Sequence, residues 1–132
     1  MFKKKLKDLK ISGNVSPETT GYPAYAFILS PEPFFWVRCK KLIEAMKLPC
    51  FVVSHWWDDK PHYHVMVLFD ESKEAAPVWQ LCGALQGYSL LAIYDPRVFA
   101  RGLCHLDNPD KHQYSPDDVM CFNGCVYKEI IK

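Results

Sequence analysis

Two histidines near the middle of the chain are the residues whose types and spacing most directly suggest chemistry. His62 and His64 lie in residues 61–69, PHYHVMVLF, where aromatic and β-branched residues predict a β-strand. Residues two apart on a strand point to the same side, roughly 7 Å apart. Two neutral imidazoles placed in this way can bind one transition-metal ion. The alternative is a pair of half-exposed histidines at a strand end.

Two aspartates precede this strand and offer a carboxylate to the same site. Asp58 and Asp59 lie in residues 54–60, SHWWDDK, which we interpret as a short connection from the preceding strand. A carboxylate there would complete a set of two histidines and one acidic ligand with open coordination positions. The alternative is an acidic turn that binds nothing.

Hydrophobic periodicity predicts the elements that must position this site. Residues 24–29, 50–55 and 88–94 read as further strands, and residues 30–46 and 77–86 as helices. The order strand, helix, strand, strand, helix, strand is typical of an α+β fold with ferredoxin-like split βαβ topology. Such a fold has an antiparallel sheet with its helices mainly on one face. We therefore expect the other face to carry the site.

A third helix is predicted after the fourth of these strands. Asp95 and Pro96 are typical of a helix start, and the helix is expected to run from residue 96 to about residue 106. Gly102 falls in its interior, where glycine costs about 1 kcal/mol relative to alanine. Close packing of this helix against the sheet is one explanation for the glycine. Ser115 is predicted to cap a last short helix that runs through Phe122.

Length and composition indicate one globular domain, which we take as residues 1–132. No apolar run is long enough for a membrane span or a signal peptide, so we expect a cytoplasmic protein with no membrane partner. The six cysteines show no metal-finger spacing and are predicted to be buried, reduced thiols. Residues 1–23 are interpreted as a basic arm and a loop. Five lysines in residues 1–10 make the arm compatible with a nucleic-acid partner, although many such tails are simply solvated.

Four stretches of the chain resemble the origin-binding, nicking domain of plasmid rolling-circle replication initiators in the HUH endonuclease superfamily (His, bulky apolar, His). They are residues 24–32, residues 54–59, residues 61–65, and residues 101–115, RGLCHLDNPDKHQYS. The resemblance covers most of the chain, and its most specific part is the HYH motif joined to the last stretch. It implies the HUH endonuclease fold and nicking and joining of one DNA strand at a replication origin.

The resemblance also implies a metal site and a set of partners. His62 and His64, with the aspartate that matches Asp58, would hold Mn²⁺ or Mg²⁺ on the scissile phosphate, and Asp59 is the second choice for the acidic ligand. A tyrosine phenolate would attack the phosphorus, giving a 5′-phosphotyrosyl intermediate and a free 3′-hydroxyl. Single-stranded and hairpin origin DNA and a host or plasmid helicase are the expected partners. Full-length relatives often carry a further C-terminal region, and an oligomer is compatible with this pattern.

The sequence departs from the family pattern at the nucleophile. The family's tyrosine belongs to a Tyr-x-x-His segment, and the matching residues are 102–105, GLCH, so Gly102 stands at the tyrosine position. The tyrosine was removed by engineering, lost in a natural lineage, or replaced by another phenol, for which Tyr114 is the candidate. A chain with glycine at this position is therefore expected to be inactive. The alternatives are a non-cleaving DNA-binding protein, such as a replication repressor or accessory factor, and a phosphodiesterase that uses water.

Basic side chains are candidates for contacts with DNA phosphates. Arg101, His105 and Lys111 are expected near the cut, and the arm residues Lys3, Lys4 and Lys5 are expected to add non-specific affinity. Each of them has an alternative role as an ordinary surface residue. If the arm and these residues bind phosphates, DNA affinity falls as the salt concentration rises.

Overall fold

The computed structural model describes residues 15–30 and 33–132, without the side chains of residues 33–36. The predicted basic arm, with Lys3, Lys4 and Lys5, lies outside the described residues, as does the predicted helix opening at residues 31–32. Among the described residues, no helix is both long and apolar enough to cross a membrane.

The centre of the structure is a five-stranded sheet in which every pairing is antiparallel. Its strands are β1 (Ala24–Leu29), β2 (Cys50–His55), β3 (His62–Leu68), β4 (Tyr88–Ile93) and β5 (Met120–Phe122). Their order across the sheet is β4-β1-β3-β2-β5. The helices of residues 15–30 and 33–132 are α1 (Pro33–Met46), α2 (Ala76–Ala84), α3 (Pro96–Leu103) and α4 (Tyr127–Ile130). The predicted α+β fold and its split βαβ order are confirmed.

Within the described part of the chain, each face of the sheet packs against two helices. Alternation along β3 sends Val65 and Val67 into an apolar core that contains residues of α1 and α2. Met66 points the other way, into a second core with Phe99 of α3 and Tyr127 of α4. Helices α3 and α4 cover part of the face that was expected to carry the site. The site must lie at the rim of that covered face.

Two predicted helices in the last third of the chain differ from the structure. Helix α3 ends at Leu103, and His105 adopts a left-handed conformation with φ 61° that does not continue a helix. Gly102 consequently lies in the last turn and not in the interior. After Ser115, one 3-10 turn (Pro116–Asp118) leads into strand β5, where a helix was predicted through Phe122. Pairing of β5 with β2 explains this difference, because it satisfies backbone N–H and C=O groups of β2 that a helix would leave unpaired.

The six cysteines all lie in the described part of the chain, and none of them forms a disulfide. Five are buried and Cys121 is exposed. The prediction of reduced thiols is confirmed, and the prediction of burial holds for all but Cys121.

Candidate metal centre

Three histidines converge at one end of strands β2 and β3. His62 and His64 lie two apart on β3, and His55, the last residue of β2, is paired directly with His62. One ring nitrogen from each of the three lies within 4.8 Å of the others, so the cluster could hold a metal ion. His55 and His64 are buried, and His62 is half-buried. The structure thus brings together the two histidines singled out from the sequence and adds a third.

Backbone carbonyls fix the proton positions on two of these rings. The Nε2 atom of His55 lies 2.6 Å from the Leu103 carbonyl oxygen, and Nδ1 of His62 lies 2.8 Å from the Lys60 carbonyl oxygen. A carbonyl only accepts hydrogen bonds, so each of these nitrogens must carry the proton. In the neutral rings, Nδ1 of His55 and Nε2 of His62 then hold lone pairs. Metal-binding histidines are commonly oriented by such a hydrogen bond from the second ring nitrogen.

The lone pair of His62 faces His64 at close range. Nε2 of His62 and Nε2 of His64 are 3.0 Å apart. Two unprotonated nitrogens repel at this distance, so either a proton or a cation must lie between them. A metal ion would replace the proton and accept both lone pairs, because neutral imidazole is a common metal ligand.

The Asp58 carboxylate lies beside the three histidines. Its Oδ2 atom lies 3.6 Å from Nδ1 of His55 and 3.9 Å from Nε2 of His62. Burial raises the pKa of Asp58, but a hydrogen bond from Tyr114 and the nearby histidines outweigh it, so the pKa lies below its ordinary value. The carboxylate is therefore ionised at neutral pH. Asp59, the second choice for the acidic ligand, is exposed.

Tyr114 lies against the same cluster. Its hydroxyl donates a hydrogen bond of 2.8 Å to Oδ1 of Asp58, which leaves Oδ2 on the side of the histidines. Its ring stacks on His55, with ring centres 4.6 Å apart and planes 3° apart, and only 4% of the residue is exposed. Burial, followed by the hydrogen bond to Asp58, raises the pKa of the Tyr114 phenol well above its ordinary value. The side chain is a protonated donor that orients Asp58.

The end of helix α3 adjoins the cluster through its backbone. Gly102 precedes Leu103, whose carbonyl oxygen accepts the hydrogen bond from His55. The position that matches the family's tyrosine is thus one residue from a direct contact with the histidines. Gly102 itself offers no side chain to the site.

Two of the basic residues predicted to contact phosphates, Arg101 and His105, have protein partners. The guanidinium of Arg101 pairs with Asp107, with an Nη2–Oδ1 distance of 2.7 Å, and also donates to the Ile131 carbonyl. His105 is buried and its Nδ1 atom donates to the His112 carbonyl at 2.7 Å. Lys111 is half-buried in the same segment. Their proposed contacts with DNA remain predictions.

His55 is the site residue that the sequence analysis missed. A signal for it existed, because the short connection between β2 and β3 already predicted an antiparallel pair. In such a pair, directly opposite residues share a face, and His55 lies opposite His62. The sequence did not give the pairing register of β2 and β3, because an uncertainty of one residue in the length of the turn changes which residues lie opposite each other.

Fold and site together define an antiparallel α+β domain with a histidine cluster that could hold a metal ion. No family model matches the chain. The chain is 24% identical over 119 residues to a "Replication protein" of Staphylococcus aureus, an alignment that covers 82% of this chain. It spans 58% of the length of that relative. This similarity supports a protein related to replication.

Proposed function

We propose that this chain is a domain of a rolling-circle replication initiator that binds single-stranded origin DNA through a divalent cation, on the fold of a DNA nickase. The observation that carries the proposal is the convergence of three histidines and Asp58 at the sheet rim, beside the helix end that holds Gly102. The similarity to a replication protein supports the same conclusion. Because the chain spans only part of that relative, activity of the whole protein belongs to the proposal as well.

The donor set favours a transition metal. Imidazole nitrogens suit first-row transition metals, whereas Mg²⁺ prefers oxygen ligands alone. Three histidines with one carboxylate therefore fit Mn²⁺ better than Mg²⁺. A cation bound there would supply Lewis-acid polarisation of a DNA phosphodiester. The chain's own contribution is to fix the tautomers of His55 and His62 and to keep Asp58 ionised beside them.

The nucleophile is the part of the nickase chemistry that this chain lacks. Gly102 has no side-chain hydroxyl, and the phenol of Tyr114 is buried and already donates to Asp58. A phenol with a raised pKa is protonated at neutral pH and is a weak nucleophile. We therefore propose that Tyr114 positions Asp58 and does not attack phosphorus. This chain is then expected to bind DNA without forming a covalent adduct.

Gly102 also favours the second candidate, a non-cleaving DNA-binding protein such as a replication repressor or accessory factor. The two candidates differ in whether the site can use a tyrosine once one is present. A tyrosine oxygen that attacks the phosphorus displaces the 3′-oxygen of the preceding nucleotide and leaves a 5′-phosphotyrosyl bond. Gly102 lies in helix α3, so a tyrosine at this position introduces no backbone strain.

The test is a denaturing gel after incubation with Mn²⁺ and a panel of labelled single-stranded origin oligonucleotides. We expect no adduct with the unsubstituted chain, a covalently shifted band with Gly102→Tyr, and no shift with the matched control Gly102→Phe. Cut strands without a shifted band would indicate a phosphodiesterase that uses water. No reaction by Gly102→Tyr on any oligonucleotide that the protein binds would leave the non-cleaving candidate.

A further inference from the structure

Two neighbouring tryptophans are exposed beside the candidate metal centre. Trp56 and Trp57 follow His55 directly, in the connection between β2 and β3, and are 57% and 61% exposed. Single exposed apolar residues are ordinary on protein surfaces. Two adjacent indoles at a candidate binding site are a much larger apolar surface, of the kind that marks interaction sites.

The two indoles and one imidazole form a cluster with defined angles, which we call the indole platform (Trp56, Trp57 and His112). Trp57 stacks on His112, with ring centres 4.6 Å apart and planes 11° apart. Trp56 stands nearly perpendicular to Trp57, with an interplanar angle of 89°. Perpendicular planes make a corner in which a flat ring can stack on one indole and contact the other with its edge.

Hydrogen bonds of neighbouring residues hold the indole platform in place. Trp57 precedes Asp58, whose carboxylate is fixed by Tyr114. The His112 carbonyl accepts the hydrogen bond from His105, and the adjacent Gln113 side chain donates to the His105 carbonyl at 2.7 Å. A surface that is ordered before binding loses little conformational entropy when a ligand arrives.

The indole platform is continuous with the metal centre. Tyr114 stacks on His55 on one side, and its ring centre lies 6.2 Å from that of Trp56 on the other, with the planes at 84°. A group bound at the platform would therefore be a near neighbour of a group bound at the histidines. Formal charges around it alternate in sign, in the pairs Asp59 and Lys60, and Asp110 and Lys111. Because these charges cancel in pairs, the surface around the indole platform does not select a ligand by charge alone.

We propose that the indole platform binds an unpaired nucleobase next to the phosphate held at the metal centre. The chemistry that recognises such a base is stacking on an aromatic face, which is available to every base and only when the base is unpaired. The inference rests on the proposed function, because it assigns the platform to the same DNA strand. It adds a reason for single strands to be preferred that does not depend on the cation.

The experiment compares two fluorescently labelled oligonucleotides of equal length by anisotropy. One is a thymidine strand, and the other has the same phosphates with abasic sugars. We expect the natural chain to bind the thymidine strand roughly tenfold more tightly, equivalent to about 1.4 kcal/mol and within the range for a stacked base. The double variant Trp56→Ala/Trp57→Ala should lose this preference while keeping its affinity for the abasic strand. Trp57→Phe should retain part of the preference.

Trp79→Ala is the matched control, since Trp79 is also exposed but belongs to α2, on the opposite face of the sheet. It should leave both affinities unchanged. An undiminished preference for thymidine in the double variant overturns the inference and leaves the proposed function intact. Failure of the unsubstituted chain to bind either strand overturns both the inference and the proposed function. Equal binding of a duplex and a single strand overturns the stacking inference alone.

Discussion

The two faces of the sheet use the same strands for different purposes. On the α1/α2 face, strand β3 contributes valines to an apolar core that is closed by Ile43 of α1 and by Val78 and Leu81 of α2. On the α3/α4 face, the same strand contributes Met66 to the core and His62 and His64 to the rim. The period of two along a strand allows this division, because neighbouring residues never share a face. One face supplies stability, and the other combines stability with a site.

Burying polar side chains on the α3/α4 face requires compensation that the α1/α2 face hardly needs. His55 donates to Leu103, and Tyr127 donates to the Ala100 carbonyl at 2.6 Å, so both residues link helix α3 to neighbouring elements. Among the described residues, no buried side-chain nitrogen or oxygen lacks a hydrogen-bond partner. An unpaired buried polar group costs about 1 to 3 kcal/mol, so these bonds are needed for the face to fold.

The largest expected effect is a loss of folding stability that leaves Mn²⁺ affinity unchanged. Leu81 is fully buried on the α1/α2 face, and Leu81→Ala should lower the free energy of unfolding by about 2 to 5 kcal/mol. Chemical denaturation measures this change. Mn²⁺ affinity, measured by calorimetry on the folded variant, should stay within about twofold of the natural chain, because the two faces are separated by the sheet. A large loss of affinity would show that the faces are not independent.

The pH dependence of stability should come from the α3/α4 face. Burial lowers the pKa of His55 to about 4 in the folded protein, against an ordinary value of 6.5. The Leu103 hydrogen bond and Asp58 oppose this shift, while His62 and His105 add to it. The unfolded chain takes up a proton below pH 6.5 and the folded ring does not, so this contribution is complete above pH 6.5 and is lost as the pH falls toward 4.

The expected loss from this histidine is on the order of 3 kcal/mol in cation-free protein. Urea denaturation in the presence of a chelator, at several pH values between 4 and 7.5, measures it. His55→Gln should flatten the profile over that range whatever its absolute stability. An equally steep profile in the variant would assign the pH dependence to other groups.

Removal of one histidine should separate binding from folding. His62 is half-buried, so His62→Ala should change stability little but weaken Mn²⁺ binding by about 100-fold. Calorimetric titration gives the affinity, and denaturation of the cation-free variant gives the stability. Unchanged Mn²⁺ affinity would remove His62 from the site.

The smallest expected effect is a difference in Mn²⁺ affinity between variants of Tyr114 and Tyr127, which lie on the same face of the sheet. Tyr114→Phe removes the hydrogen bond to Asp58 and should weaken Mn²⁺ binding about tenfold, because ligands held by a partner bind metal more tightly. Tyr127→Phe removes a buried hydrogen bond to the Ala100 carbonyl that does not involve the cluster. Both variants should lose about 1 kcal/mol of stability, but Tyr127→Phe should leave the affinity unchanged. Equal affinities in the two variants would contradict the positioning role of Tyr114.

The sequence predicts the α1/α2 face better than the α3/α4 face, for a physical reason. Strands and helices with clear periodicity, such as β1 to β4, α1 and α2, follow from local patterns, and so does the shared face of His62 and His64. The hydrogen bond between Asp58 and Tyr114 joins residues 56 positions apart, and no local pattern encodes it. Ser115 does cap a turn, but pairing with β2 then favours β5 over the helix that the cap suggested.

The exposure of Trp56 and Trp57 could not be predicted from the sequence either. Tryptophan is more often packed than exposed, so its position in a connection does not reveal that its ring faces solvent. The stacking partner His112 lies 55 residues beyond Trp57 in the chain. Sites assembled from distant segments become visible only when the fold places those segments together.

The central claim is that His55, His62 and His64 bind one cation together with Asp58. Pulsed electron paramagnetic resonance of Mn²⁺ added to protein labelled with ¹⁵N on histidine tests it most directly. We predict one bound Mn²⁺ per chain with hyperfine coupling to histidine nitrogens, and a weaker nitrogen signal in His62→Ala. Mn²⁺ that stays in solution, or that is bound without any coupling to histidine nitrogen, would contradict the claim.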